Sequence, residues 1–133
     1  KNYLENLYPE RRPYKVLSMS SAIRLKRMMK ETLRRGTAKS IFRKIDAKLK
    51  KNLELGGKTG SITGGEPFGK RDWFIMYAIP KEGDDLGISI AVMNINVKKW
   101  FVKSAHLALK VVEKYYQNNL KKGVILGDNN IGL

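Results

Sequence analysis

The run Gly57-Lys58-Thr59-Gly60-Ser61 gathers a cation, two hydroxyls and two glycines, residue types suited to moving a proton and holding an anionic group close to a backbone. A cation at Lys58, set beside reacting hydroxyls, favours proton movement through its field and helps hold a substrate carboxylate. Thr59 adds a hydroxyl that packs or hydrogen-bonds along its strand. Gly60 has no side chain to obstruct a ligand approaching the backbone. Other chemistries have less to work with. The chain has no cysteine and one histidine, His106, so it cannot form disulfides or thiolate metal sites, and a histidine-based metal site is not expected. Asp84 and Asp85 sit together in a turn, too isolated to specify a metal, and Glu66 is not assigned as acid or base. No cofactor is expected.

The elements that must position this run follow an α+β order. Residues 1–17, with Pro9 and Pro13, read as an irregular lead-in. Ser18, Ser20 or Ser21 can cap a first helix, on which Leu25, Met28, Met29, Thr32 and Leu33 keep helical spacing and the two methionines serve packing. Gly36 is a helix stop, through the left-handed conformation that glycine adopts cheaply. A second helix is expected from Lys39 to Lys50, with Ile41, Phe42, Ile45 and Leu49 on one side. Extended segments follow at Leu55–Thr63, Asp72–Ile79 and Gly87–Val97, and the short turns between them predict antiparallel neighbours. Trp73, Phe74 and Tyr77 read as core residues.

A closing helix is expected over Lys98–Asn118. Phe101, Ala105, Leu109 and Val112 would form its stripe, widened by Trp100, Val111 and Tyr115, while Tyr116-Gln117-Asn118 reads as solvated surface. This helix covers one face of the sheet, and the first helix can join it there. The tail, Leu120–Leu133, is expected to be loose apart from Val124-Ile125-Leu126. The outer sheet edges stay open, which points to further strands beyond these three.

Composition sets limits on the function. The 133 residues make a single unit, one domain or part of one, able to bury roughly two thirds of its unfolded surface. No apolar run approaches the ~20 residues of a membrane-spanning helix, and Lys1-Asn2-Tyr3-Leu4-Glu5 gives no signal-peptide pattern. The formal net charge is +15, and twelve of the 27 basic residues fall between Arg24 and Lys51, opposed only by Glu31 and Asp46. Such a field attracts polyanions: nucleic acid, an anionic membrane surface or a phosphate-bearing lipid-linked precursor. Solvation of ordinary helix faces explains the same residues equally well.

The ordered features narrow these classes. A helix ends in Arg35-Gly36-Thr37-Ala38; then come an insertion, Gly57-Lys58-Thr59-Gly60-Ser61, the aromatic strand Asp72-Trp73-Phe74-Ile75-Met76-Tyr77-Ala78, a further strand and a closing helix. Over most of its length the chain resembles the C-terminal portion of a penicillin-binding protein transpeptidase domain, in the serine β-lactamase and penicillin-binding superfamily, whose third signature is Lys-Thr-Gly. The resemblance implies an antiparallel sheet of five strands, of which this chain holds about three.

It also implies roles for the run. Ser61 looks like the position whose backbone N–H supplies half of an oxyanion hole, where loss of one donor costs about two to three orders of magnitude in turnover. Its hydroxyl, with Lys58, would bind the terminal carboxylate of a peptidoglycan stem peptide or of a β-lactam. Lys58 and Ser61 are thus the candidate catalytic residues, and Lys58, Thr59, Gly60 and Ser61 the candidate substrate-binding set, with no metal. Substrate would lie antiparallel to the strand as an added edge.

Two family signatures are absent from the sequence. The nucleophile lies in Ser-x-x-Lys on a helix, where one turn brings the lysine beside the serine. Here Ser21 is followed three residues on by Arg24, Ser40 by Arg43, Ser61 by Gly64, Ser89 by Val92 and Ser104 by Leu107, while Ser18 and Ser20 fail likewise. No serine opens Ser-x-Asn. The expectation is a part of a D,D-transpeptidase or carboxypeptidase that lacks its nucleophile and is inactive alone. Its partners would be the rest of the transpeptidase domain, stem peptide, β-lactams and anionic lipid, at the extracytoplasmic face of a bacterial membrane, with the anchor outside this chain. No specific nucleic acid is expected. The alternatives are a non-catalytic β-lactam-binding or sensing domain and a basic nucleic-acid-binding module.

Overall fold

Among the described residues the chain forms seven elements, several of which begin or end for a local reason. A computed structural model describes residues 15–83, 87–97 and 102–121. Helix α1 spans Met19–Arg34 and starts where the Ser18 hydroxyl accepts the Ser21 N–H at 3.1 Å. It stops as Arg35 and Gly36 both donate to the Glu31 carbonyl. Gly36 does not adopt the expected left-handed conformation; a side chain is excluded there because its Cβ would stand 2.9 Å from the Thr32 backbone. Only Leu33 of α1 is buried, so the expected packing role of Met28 is not met: that side chain is 68% exposed.

The single helix expected over Lys39–Lys50 is two, α2 (Lys39–Phe42) and α3 (Ala47–Asn52). Asp46 divides them. Its carboxylate accepts the Lys48 and Leu49 N–H groups at 2.9 and 3.1 Å, and a short acidic side chain makes that bond only from a non-helical backbone. Phe42, Ile45 and Leu49 nevertheless reach the core, with Ile41 packed against it.

Three antiparallel strands follow, in the order β1 (Leu53–Gly64), β2 (Gly69–Pro80) and β3 (Ile88–Asn96), so the protein is α+β. The β1–β2 hairpin is longer than its sequence pattern suggests, running from Leu53↔Pro80 to Gly64↔Gly69. Gly64 and Gly65 take positive φ at its turn, and the Arg71 guanidinium donates to the Glu66 and Pro67 carbonyls across it.

One face of the sheet carries the core. Phe74, Met76 and Ala78 lie in one cluster with Ala105, Ala108, Leu109, Val112 and Tyr116 of helix α4 (Ser104–Lys121), and Leu53 belongs to the same core. Two alanines on that stripe let the helix lie close to the strands. Burying a side chain the size of Phe74 or Tyr116 contributes about 1.5–3 kcal/mol. Helix α4 starts at Ser104, later than expected, and residues 98–101, including Trp100 and Phe101, lie outside the described residues. Its stripe is also rotated. Val111 and Tyr115 are about half exposed, whereas Tyr116, expected on the surface, is buried and donates to the Ala78 carbonyl at 3.0 Å. The lead-in through residue 14 and the Val124-Ile125-Leu126 segment likewise lie outside the described residues.

Helix α1 does not join α4. It packs against β1 toward the opposite face, where Lys26 pairs with Glu54 at 2.7 Å and the Tyr77 hydroxyl donates to the Lys26 carbonyl at 3.1 Å. An exposed ion pair of this kind contributes less than about 1 kcal/mol, so Tyr77 is the stronger tie. Its ring crosses directly over Gly56, where any Cβ would collide with it.

Burial first, and the Glu54 carboxylate second, push the Tyr77 hydroxyl from 10.0 up to about 12. The folded state therefore keeps a proton that the unfolded chain has released. Stability contributed by neutral Tyr77 is complete below pH 10.0 and is lost as pH rises toward about 12. Urea unfolding across this window will show a steeper decline for the wild type than for Tyr77→Phe. Equal declines would remove Tyr77 as the cause.

Candidate functional site

The Lys-Thr-Gly-Ser run lies in the middle of β1, and its placement follows from pairing with β2. Lys58 is opposite Ile75, Thr59 opposite Phe74, Gly60 opposite Trp73 and Ser61 opposite Asp72. Opposed residues of an antiparallel pair share a face, and successive residues alternate. Lys58 and Gly60 therefore share a face with Ile75 and Trp73, while Thr59 and Ser61 share the α4-covered face with Phe74 and Asp72. The side chains of Lys58 and Ser61 do not point to the same side of the sheet. A carboxylate held by both must sit at the strand edge, where the two sides meet.

Backbone direction alternates along the same strand. The Ile75 carbonyl lies 2.9 Å from where a Gly57 Cβ would stand, so it faces β1 and marks Ile75↔Lys58 as a pair whose backbone groups turn toward each other. The N–H and C=O groups of Thr59 and Ser61 then turn the other way, toward the edge of β1. Among the described residues no strand pairs with that edge. Lys58 is exposed, its ammonium donates to the Thr59 carbonyl at 2.7 Å, and it forms no ion pair among the described residues. The edge thus offers a cation and outward backbone donors to a ligand.

Two residues not singled out in the sequence for this site support the run from behind. The Thr37 hydroxyl, in the turn between α1 and α2, lies 2.8 Å from the Thr59 hydroxyl. This joins the Arg35-Gly36-Thr37-Ala38 turn to the strand and gives Thr59 a structural duty. Asp72 is buried, and its carboxylate accepts the Ser104 N–H at 2.6 Å at the start of α4. Ser104 in turn donates its hydroxyl to the Asp72 carbonyl at 2.5 Å. Negative charge at a helix N-terminus satisfies otherwise unpaired amides and suits the helix dipole. The other Asp72 oxygen is 3.5 Å from the Ser61 hydroxyl, a long contact that leaves this hydroxyl free to choose another acceptor. An acid inside an aromatic strand is the sequence signal for this anchor, but its partner lies 32 residues away.

Trp73 occupies the open face beside Gly60 and is 45% exposed; Ile75 beside Lys58 and Met93 opposite Trp73 are similarly exposed. The expected core role therefore holds for Phe74, not for Trp73, because the two point to opposite faces. His106 is exposed, and among the described residues no cluster of acids and histidine is arranged to hold a metal. No helix among them is long and apolar enough to cross a membrane. Comparison with protein-family models, curated proteins and solved structures found no match.

The two glycines flanking Lys58 and Thr59 differ in what surrounds them. A Cβ at Gly57 would stand 2.5 Å from the Phe74 ring, so Gly57 is required by the core. At Gly60 the nearest atom would be the Trp73 Cβ, at an ordinary 3.6 Å, so packing does not require glycine there. Chemical denaturation should show Gly57→Ala destabilised by about 1–3 kcal/mol. Gly60→Ala should stay within about 0.5 kcal/mol of wild type. A large loss at Gly60 would mean that the fold itself, and not ligand access, demands that glycine.

Proposed function

We propose that this chain forms the substrate-holding wall of a penicillin-binding D,D-transpeptidase, which cross-links peptidoglycan stem peptides through an acyl-serine intermediate. The observation that carries the reading is the edge of β1, with the Lys58 ammonium and the Ser61 N–H both available to a strand-like ligand. In this reading the stem peptide lies along that edge, its terminal carboxylate near Lys58 and the Ser61 hydroxyl. The Ser61 N–H then donates to the oxygen that gains negative charge as the carbonyl is attacked, in the manner of an oxyanion-hole donor. Lys58 eases proton movement among the reacting hydroxyls. Gly60 keeps the approach clear.

The nucleophile comes from outside these 133 residues, on the part of the transpeptidase domain that covers the open face. The exposed Trp73, Ile75 and Met93 beside Lys58 support such a cover, since neighbouring large apolar side chains on one face mark an interaction surface. The basic segment from Arg24 to Lys51 suits work near anionic lipid at the extracytoplasmic face of a bacterial membrane.

Fluorescent penicillin distinguishes the possibilities. The full-length protein, carrying Ser-x-x-Lys, is expected to form a covalent adduct, and the 133-residue chain alone is expected to form none. Lys58→Ala in the full-length protein should slow acylation by about two orders of magnitude. Absence of labelling in a full-length protein that has the nucleophile motif would sink the proposal. Acylation without any turnover of stem peptide would favour a sensing domain instead.

A further inference from the structure

A concave surface lies where α1, α2, α3 and the start of β1 converge. Leu33, Phe42, Leu53 and Leu55 contribute an apolar floor to a cleft of about 360 Å³. That volume falls at the lower end of the range for small-molecule sites, roughly 300–1,000 Å³. Lys30, Lys39, Arg43 and Lys50 stand around it, and none of them pairs with a carboxylate among the described residues. Among the described residues Glu54 is the one acid lining the cleft, and Lys26 already engages it at 2.7 Å.

Floor and rim call for different halves of one ligand. Water gains few hydrogen bonds over an apolar floor, so a hydrocarbon group displaces it readily. The rim repels cations and favours concentrated negative charge. Four basic groups without acidic partners match a dianionic phosphate better than a singly charged carboxylate. The small volume suits one alkyl chain and not a peptide helix. We infer that this cleft binds a single-chain lipid phosphomonoester, with its tail on Leu33, Phe42, Leu53 and Leu55 and its phosphate among Lys30, Lys39, Arg43 and Lys50.

The site is separate from the Lys-Thr-Gly-Ser edge. Leu55 and Lys58 are three strand residues apart, about 10 Å, and the inference does not depend on penicillin chemistry. Failure of the transpeptidase reading would leave it standing.

Titration calorimetry on the full chain, with dodecyl phosphate below its micelle-forming concentration, provides the test. Dodecyl phosphate is expected to bind, while inorganic phosphate and dodecyl maltoside, which share only the head or only the tail, bind at least about tenfold more weakly. The double variant Lys39→Glu/Arg43→Glu should weaken dodecyl phosphate by about tenfold or more with its circular dichroism unchanged. Lys30→Glu/Lys50→Glu, from other parts of the rim, should do the same and guards against misfolding of the first variant. Equal binding of inorganic phosphate, equal binding of the maltoside, no binding of dodecyl phosphate, or indifference to both folded variants would each overturn the inference.

Discussion

The register of β1 on β2 is the constraint on which the rest of the structure depends. Gly57 must lie against Phe74, because no other residue leaves room for that ring, and Gly56 must lie beneath Tyr77. Two adjacent glycines thus fit two aromatic rings on opposite faces. A slip by one residue would exchange the faces of every side chain on β1 and set Leu55 beneath Tyr77 or Lys58 against Phe74, driving a Cβ into one of the two rings. With the register fixed, Lys58 and Gly60 face the open side, Thr59 and Ser61 face α4, and the amides of Thr59 and Ser61 turn to the edge.

Polar anchors transmit this register to the helices. Asp72 holds the first amide of α4 from within the sheet, and Tyr116 ties the same helix to the Ala78 carbonyl six residues further along β2. Hydrogen bonds to buried groups contribute modestly when made and are costly to leave unmade, so each anchor favours one helix position over its neighbours. On the other side Tyr77 reaches the Lys26 carbonyl, and Thr37 meets Thr59. The candidate site is therefore supported by the same contacts that orient α1 and α4.

Core and surface divide the chemistry unevenly. The α4 face is filled by apolar side chains, whereas the opposite face leaves Trp73, Ile75 and Met93 uncovered next to an exposed lysine. The basic charge gathers elsewhere, on α1 through α3, around a cleft with an apolar floor. The two proposed sites differ in character accordingly: a strand edge with an exposed cation and outward amides, and a basic hollow with an apolar floor. Their separation along β1 lets each be altered without rebuilding the other.

The sequence by itself determined the α+β class, the antiparallel hairpins and the location of the Lys-Thr-Gly-Ser run in a strand, because periodicity and glycine-rich turns act over a few residues. It also located Phe42, Ile45, Leu49, Leu109 and Val112 as apolar positions that reach the core. The division of α2 from α3 at Asp46 was legible in principle, since a capping acid is a local signal, yet the continuous apolar spacing outweighed it. Tertiary structure alone decided that Tyr116 and not Tyr115 is buried, that Trp73 and Phe74 part company, and that α1 and α4 take different faces. It alone brought Thr37 to Thr59 and Asp72 to Ser104. These outcomes depend on which surfaces meet across dozens of residues, and packing in three dimensions sets that meeting where no short-range pattern can.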